Sequence, residues 1–136
     1  MNKPFSAYIA GPWSDRVAAE GIAKRFADAG IPVTHPWWHL EGEEDDHTYL
    51  RECAMNDIEG VVEADVLVVL NSAMSEGKAV ETGIAIILMK PIIIIGERSN
   101  IFHHLNIPLV ATPEMALELA LKLREAICPS PNLLSE

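Results

Sequence analysis

Only two cysteines occur in the 136 residues, Cys53 and Cys128. They lie far apart and lack the paired spacing of a zinc site, which excludes a disulfide-framed or thiol-metal scaffold and leaves both as reduced packing residues. Positive charge is also scarce: ten Lys and Arg face twenty Asp and Glu, a formal charge of −10. Such a chain repels a polyanion and has no basic stripe for groove binding, so nucleic acid polymers are excluded as partners while one small nucleotide is not. The longest aliphatic run, Pro91 to Ile95, is far below the roughly 20 residues of a membrane span, and no basic stretch leads into an apolar one at the N-terminus. A cytoplasmic protein with no membrane partner is expected. No Gly-x-Gly-x-x-Gly and no Walker-type lysine follows the first apolar segment, and His35, His39, His47, His103 and His104 do not have metal-ligand spacing. Neither a cofactor nor a metal is expected, and the histidines read as surface or packing residues.

What is present is an ordinary globular composition, 49% hydrophobic and 22% charged, enough for one domain over residues 1–128 with a tail at 129–136. Ser6 to Ala10 is an apolar strand that ends at Gly11-Pro12. Ser14 or Asp15 caps a helix to about Ala29, with Val17, Ile22, Phe26 and Ala29 on its apolar side and Gly30 closing it. A second strand is expected at Ile31 to Thr34, then a polar loop from His35 to His47. Tyr49 to Glu63 returns to helical spacing, with Leu50, Cys53, Ile58, Val61 and Val62 broadly on one side. Asp65 to Leu70 is a buried-strand pattern, Gly77 to Met89 an apolar helix, and Ile92 to Ile95 another buried strand closed by Gly96. A short segment at Ser99 to Leu105, a strand near Leu109 to Ala111 and a helix from Pro113 to about Ile127 complete the chain.

Strand and helix alternate throughout, and the strands are aliphatic without polar alternation. This predicts an α/β fold, doubly wound and flavodoxin-like or Rossmann-like, with a parallel five-stranded sheet and helices on both faces. Ligands in such sheets bind beyond the carboxyl ends of the strands. That rule gathers residues 11–16, 35–38, 71–81 and 96–102 around one crevice.

Within that crevice Glu81 is the most conspicuous charge, because it stands in the apolar run Ala79-Val80-Glu81-Thr82-Gly83-Ile84-Ala85. A carboxylate buried without a partner costs several kcal/mol, so it is either paired, for instance with Lys78, or reactive. Asp57 on the preceding helix is either a solvated helical acid or a second carboxyl at the same crevice, and Asp65 reads as a structural cap. Two carboxyls flanking a glycosidic bond make a known apparatus: one attacks the anomeric carbon while the other protonates the leaving group. Trp13, Trp37 and Trp38 fall on crevice loops, where flat aromatic faces can stack on a base or simply pack. Gly11, Gly77 and Gly83 are positions for turns or close approach.

Four stretches together resemble the nucleoside 2-deoxyribosyltransferase family, whose superfamily includes the 2-deoxynucleoside 5-monophosphate N-hydrolases. They are Tyr8-Ile9-Ala10-Gly11-Pro12-Trp13-Ser14-Asp15-Arg16; Asn56-Asp57-Ile58-Glu59-Gly60 with Asp65 after it; Gly77-Lys78-Ala79-Val80-Glu81-Thr82-Gly83; and Ser99-Asn100-Ile101-Phe102. The resemblance implies that Glu81 is the nucleophile, Asp57 the acid serving the departing base, and Tyr8 the residue that orients Glu81. It implies substrate contacts from Gly11, Trp13, Asp15, Arg16, Ser75, Gly77, Asn100 and Phe102. Asn100 and Phe102 would reach across a subunit interface, which makes the protein a homo-oligomer. Ser75 stands where transferases carry an aspartate for the free 5-hydroxyl and looks more like the hydrolases, whereas Asn100 and the Trp13-Ser14-Asp15-Arg16 run look more like transferases.

The expected activity is therefore transfer of 2-deoxyribose from a nucleoside to another free nucleobase through a covalent glycosyl-Glu81 ester. The alternatives are a 2-deoxynucleoside 5-monophosphate N-glycosidase and a non-catalytic nucleotide-binding module, since a fold alone does not imply chemistry. A binding module would not require Glu81 to share a pocket with Asp57 and Tyr8. Arg16, Lys78 and Arg98 are the cations on which recognition of a phosphate would depend.

Overall fold

The structure is a computed structural model that describes residues 3–39 and 42–129; most of the expected tail, residues 130–136, lies outside the described residues. Four strands, β1 (Ala7–Ala10), β2 (Val66–Asn71), β3 (Ile92–Gly96) and β4 (Leu109–Val110), form one sheet in the order β1-β2-β3-β4. All three pairings are parallel. Every residue of β1 is buried, as is all of β2 but its last and all of β3 but its last. Strands with that profile need cover on two faces. Among the described residues no helix is long and apolar enough to cross a membrane.

Four helices supply the cover: α1 (Arg16–Asp28), α2 (His47–Glu63), α3 (Glu76–Ile87) and α4 (Pro113–Ile127). Ala7, Ile9, Val66, Val68, Leu70, Ile93 and Ile95 pack with Ala19, Ile22 and Phe26 of α1 and Ala116 and Ala120 of α4. On the alternate set of strand positions, Tyr8, Ala10, Leu67, Val69, Ile92 and Ile94 pack with Val61 of α2 and Ala85 of α3. The period-two alternation of a strand thus assigns Tyr8 to the α2 and α3 side while its neighbours Ala7 and Ile9 face the other way.

The helices end where their sequences direct. Asp46, Ser75 and Thr112 cap α2, α3 and α4 by accepting from the amides of Tyr49, Lys78 and Met115. Gly30 closes α1 at φ +89°, and Ile31 N–H returns to Phe26 O at 2.8 Å, a left-handed turn that glycine adopts without a Cβ penalty. Asp65 accepts from the Ser6 amide at 2.8 Å, a structural role.

Three expectations are corrected. The sheet has four strands, not five: Ile31 to Thr34 meets β1 through a single parallel bridge between Val33 and Ala7. Pro32 contributes its carbonyl to Ala7 but has no N–H, and Thr34 turns its hydroxyl to Gly60 O at 2.7 Å, so the ladder does not extend. On α2, Leu50, Ile58 and Val62 are exposed, and the inward stripe is Asp57, Gly60, Val61 and Ala64. On α1, Val17 is exposed and Ala19 and Ala23 are buried instead. In both helices small residues face the sheet because they let the helix approach closely.

Gly60 shows that closeness: a Cβ there would stand 2.9 Å from Tyr8 Cδ2 and Cε2 and 2.9 Å from His35 Cβ. Alanine would gain up to about 1 kcal/mol of helix propensity, but overpacking against a pinned ring costs about 1–3 kcal/mol. Gly60→Ala is therefore expected to lower the unfolding free energy by up to about 2 kcal/mol in a urea titration, as the difference of those two effects.

Candidate functional site

At the centre of the site is Tyr8, fully buried on β1, whose hydroxyl donates to Glu81 Oε2. Glu81 lies on the inward stripe of α3 with Lys78, Thr82 and Ala85 and is only 8% exposed. Asp57, half-buried on the inward stripe of α2, is the second carboxyl of the cluster and also interacts with the Tyr8 hydroxyl. Residues 8, 57 and 81 meet because one strand position and two helix stripes converge on the same side of the sheet.

Burial dominates the electrostatics. Desolvation raises Glu81 to about 8, helped by the Asp57 charge and opposed by the Tyr8 hydrogen bond. Asp57 is also raised by burial, against the lowering influence of His35 and of the Tyr8 hydroxyl. Tyr8 is pushed well above its ordinary range by burial and by both carboxyls, so it stays a neutral hydrogen-bond donor. Burial makes it costly for both carboxyls to be ionised at once, which favours a state in which one acts as acid while the other attacks.

His35 was not read from the sequence as a site residue, yet its Nε2 lies 3.3 Å from Asp57 Oδ1. It follows the Ile31 to Thr34 segment directly, and its place at the carboxyl end of an expected strand is the one signal in the sequence that could have marked it. The pairing of Glu81 with Lys78 does not form. The Lys78 ammonium turns away, donating to Asn71 Oδ1 at 2.6 Å and to Ala73 O.

The remaining expected contact residues follow β1, β2 and β3 in the chain. Trp13 lies in a short 3-10 turn (Trp13–Asp15) and is 45% exposed, with its ring 6.3 Å from that of Trp37. Trp37 stacks edge-on against the buried Trp38 at 5.5 Å and donates its indole N–H to Ile9 O. Of the three indoles, Trp13 is the most exposed. Arg16 covers that ring at 4.7 Å and donates to Trp13 O. Asp15 accepts from the Ser72 hydroxyl, joining the loops after β1 and β2. Gly11 follows β1, with its Cβ direction 3.4 Å from Leu70 Cβ and 3.7 Å from the Trp37 ring.

Beyond the carboxyl ends of β2 and β3 opens a cavity of about 330 Å³, lined by Ser75, Glu76, Lys78, Ser99, Asn100 and His103 among others. Gly77 is in the first turn of α3. A second, apolar hollow of about 270 Å³ continues from it, lined by Ala79, Thr82, Gly83, Ile86, Ile87, Asn100 and Phe102. Asn100 borders both. Arg98, by contrast, is committed to its own loop, donating to His103 O and Ile107 O. Among the described residues no group of three or more His, Cys, Asp or Glu is placed to hold a metal ion.

Comparison with known proteins bears on this arrangement. No curated protein matches the chain in sequence. In structure it resembles a conserved protein from Enterococcus faecalis, with a TM-score of 0.69, 18% identity and coverage of 89% of this chain and 99% of that one. It also resembles a CMP N-glycosidase of Clostridium botulinum, with a TM-score of 0.58, 16% identity and coverage of 87% and 98%. At these identities the likeness shows the fold. The model of the nucleoside 2-deoxyribosyltransferase family matches residues 7–117. Because that match runs from β1 into α4 and takes in Tyr8, Asp57 and Glu81 together, this chain belongs to the nucleoside 2-deoxyribosyltransferase family.

Proposed function

We propose that the protein cleaves the N-glycosidic bond of a 2-deoxynucleoside by nucleophilic displacement at Glu81 and transfers the sugar to another base. The observation that carries this reading is the pair of raised carboxyls, Glu81 and Asp57, sharing the hydroxyl of one buried tyrosine. The ionised Glu81 attacks C1 of the sugar while Asp57 delivers its proton to the departing base nitrogen, giving a glycosyl ester. An incoming base then displaces Glu81 from the same carbon and returns its proton to Asp57, so configuration is retained. Tyr8 fixes the attacking carboxylate, His35 fixes Asp57, and Trp13 offers the face on which departing and arriving bases stack.

A second reading, water in place of the incoming base, is supported by Ser75, which caps α3 where transferases carry an aspartate. The same two carboxyls then make a hydrolase. In either case the exposed apolar side chains of α2 and α3 (Met55, Ile58, Val62, Val80, Ile87) and the 56% exposed Phe102 fit burial against a second copy of the chain. Phe102 and its neighbour Asn100 would then lie where two sites meet. The protein would work in the cytoplasm as a homo-oligomer on nucleosides or nucleoside monophosphates and free nucleobases.

Glu81→Gln is expected to abolish base release, followed by chromatography, while the protein stays folded. Its stability carries a second readout. A buried carboxyl raised to about 8 favours the folded state when neutral, so wild-type stability is fully present below the unfolded carboxyl range and is lost as pH rises toward 8. Removing the charge should therefore stabilise the fold by about 3 kcal/mol at pH 7 and by little at pH 4, measured by denaturant titration at both values. Near wild-type turnover in Glu81→Gln would discard the mechanism.

Asp57→Asn should lose most activity on substrates whose base leaves poorly and least where the base departs unaided. Equal losses on all leaving groups would make Asp57 structural.

The wild-type kcat/KM is expected to be bell-shaped in pH. Its rising limb reports ionisation of the nucleophile Glu81 and its falling limb loss of the proton from Asp57, both carboxyls being raised by burial. In Asp57→Asn the falling limb should vanish, leaving a single ascending limb as Glu81 ionises. A bell that persists in that variant would place the acid elsewhere.

A further inference from the structure

The connection from β3 to β4, residues 97–108, is turned inside out. Its apolar residues Ile101, Phe102 and Leu105 are exposed, whereas His103 between them is 3% exposed. Burying an imidazole costs free energy unless its ring nitrogens find partners. Here the partners lie within the loop. Ser99 N–H donates to His103 Nδ1 at 3.0 Å, which puts the proton of the neutral ring on Nε2. The His103 amide donates to Asn100 Oδ1, and the His103 carbonyl accepts from Arg98 Nε at 3.0 Å. One residue thus binds each of the three, Arg98, Ser99 and Asn100, that lead into the 3-10 turn Ile101–His104.

The loop held in this way carries two side chains that line the cavities beside α3. Asn100 borders both, and Phe102 lines the apolar one. Asn100 Oδ1 is engaged by the Phe102 and His103 amides, so its NH2 end is turned toward His103 Nε2, 3.3 Å away. Both of those groups are donors, and the hold on Asn100 runs through the backbone and not through that contact. Asn71, at the end of β2, accepts from Lys78 and donates to Glu97 O and Ser99 Oγ, tying the base of the loop to the helix of Glu81. Those bonds stop at Ser99; beyond it His103 continues the hold to Asn100. The charged groups that bear on the ring are Lys78 of α3 and His104 and Arg98 of the loop. The acids on the same two elements are Glu76 and Glu97, which are exposed, and Glu81, which is bound to Tyr8. Among the described residues no carboxylate lies within 4.0 Å of the ring nitrogens.

We propose that neutral His103 is a positioning residue for substrate binding: by accepting the Ser99 amide it holds Asn100 and Phe102 at the two cavities beside α3. This rests on the reading of those cavities as part of a glycosidic site. Protonation takes the lone pair that accepts the Ser99 amide and sets two N–H groups against each other, so in acid the loop releases Asn100. Burial first, and then the positive neighbours, hold the ring below the ordinary histidine range. The hold is therefore complete above that range and is lost as pH falls through the lowered value. Protonation of Glu81 already limits turnover there, so the effect is read in binding.

Two measurements on the full chain test the proposal. Ring-nitrogen NMR, which needs no ligand, should find His103 with its proton on Nε2, and the Ser99 and Asn100 amide signals should move as the ring titrates. A proton on Nδ1, or amide signals indifferent to the titration, overturns it. Calorimetry in a Glu81→Gln background then follows the affinity for 2-deoxyadenosine and 2-deoxycytidine, one purine and one pyrimidine, as pH falls from neutral. His103→Leu leaves the Ser99 amide without an acceptor and should weaken binding about 10-fold at neutral pH. His103→Asn puts an amide oxygen near the place of Nδ1 but does not titrate, so it should restore most of the affinity and lose the ring-dependent weakening in acid. Acid weakening that persists undiminished in His103→Asn, or full affinity in His103→Leu, makes the ring a packing residue and sinks the proposal. If His103→Leu does not fold, the NMR titration and the asparagine variant decide. Failure of the glycosidic reading is seen separately, as base release that survives Glu81→Gln.

Discussion

A carboxylate held out of water against a tyrosine hydroxyl is the contact on which the site depends. Tyr8 has no exposed surface, and its hydrogen bond to Glu81 joins β1, at one side of the sheet, to the first turns of α3. Desolvation makes ionisation of Glu81 costly, while the hydroxyl limits the cost. The same burial keeps Tyr8 neutral at any working pH, so its proton stays in place to orient the carboxylate.

Everything around that contact adjusts to it. Gly60 has no side chain because the Tyr8 ring occupies the space where one would be. That absence lets α2 approach until Asp57, one turn earlier on the same stripe, comes within range of the tyrosine hydroxyl. His35, brought up by the segment bridged to β1 at Val33, meets Asp57 from the far side. A strand edge, a glycine and a histidine thus act as one support for Asp57. The exposed apolar stripe of α2 follows from the same arrangement: with its small and polar residues turned inward, its larger aliphatic residues are left outside.

The cavity beyond β2 and β3 has a different electrostatic character from the two-carboxyl centre, although α3 lines both. Glu81 contributes negative charge at one turn and Lys78 positive charge nearly a turn before it, on the same buried stripe. The loops after β2 and β3 are tied together at that end by Asn71, which donates to Glu97 O and to Ser99 Oγ.

The sequence by itself determined the order of elements, the parallel aliphatic sheet and the helix boundaries, because burial on two faces and capping side chains are local requirements written into each segment; α4 ran over Pro113–Ile127 as its proline and spacing indicated. It also marked Glu81, since a charge within an apolar helical run is conspicuous at that scale. Tertiary structure alone decided which face of α2 turns inward, since Asp57, Gly60 and Ala64 carry no hydrophobic periodicity and face the sheet because of their size. It decided too that Lys78 would leave Glu81 for Asn71, that His35 would meet Asp57, and that the second strand would shrink to one bridge. Each of these depends on distances between segments remote in the chain, which spacing along one segment does not encode.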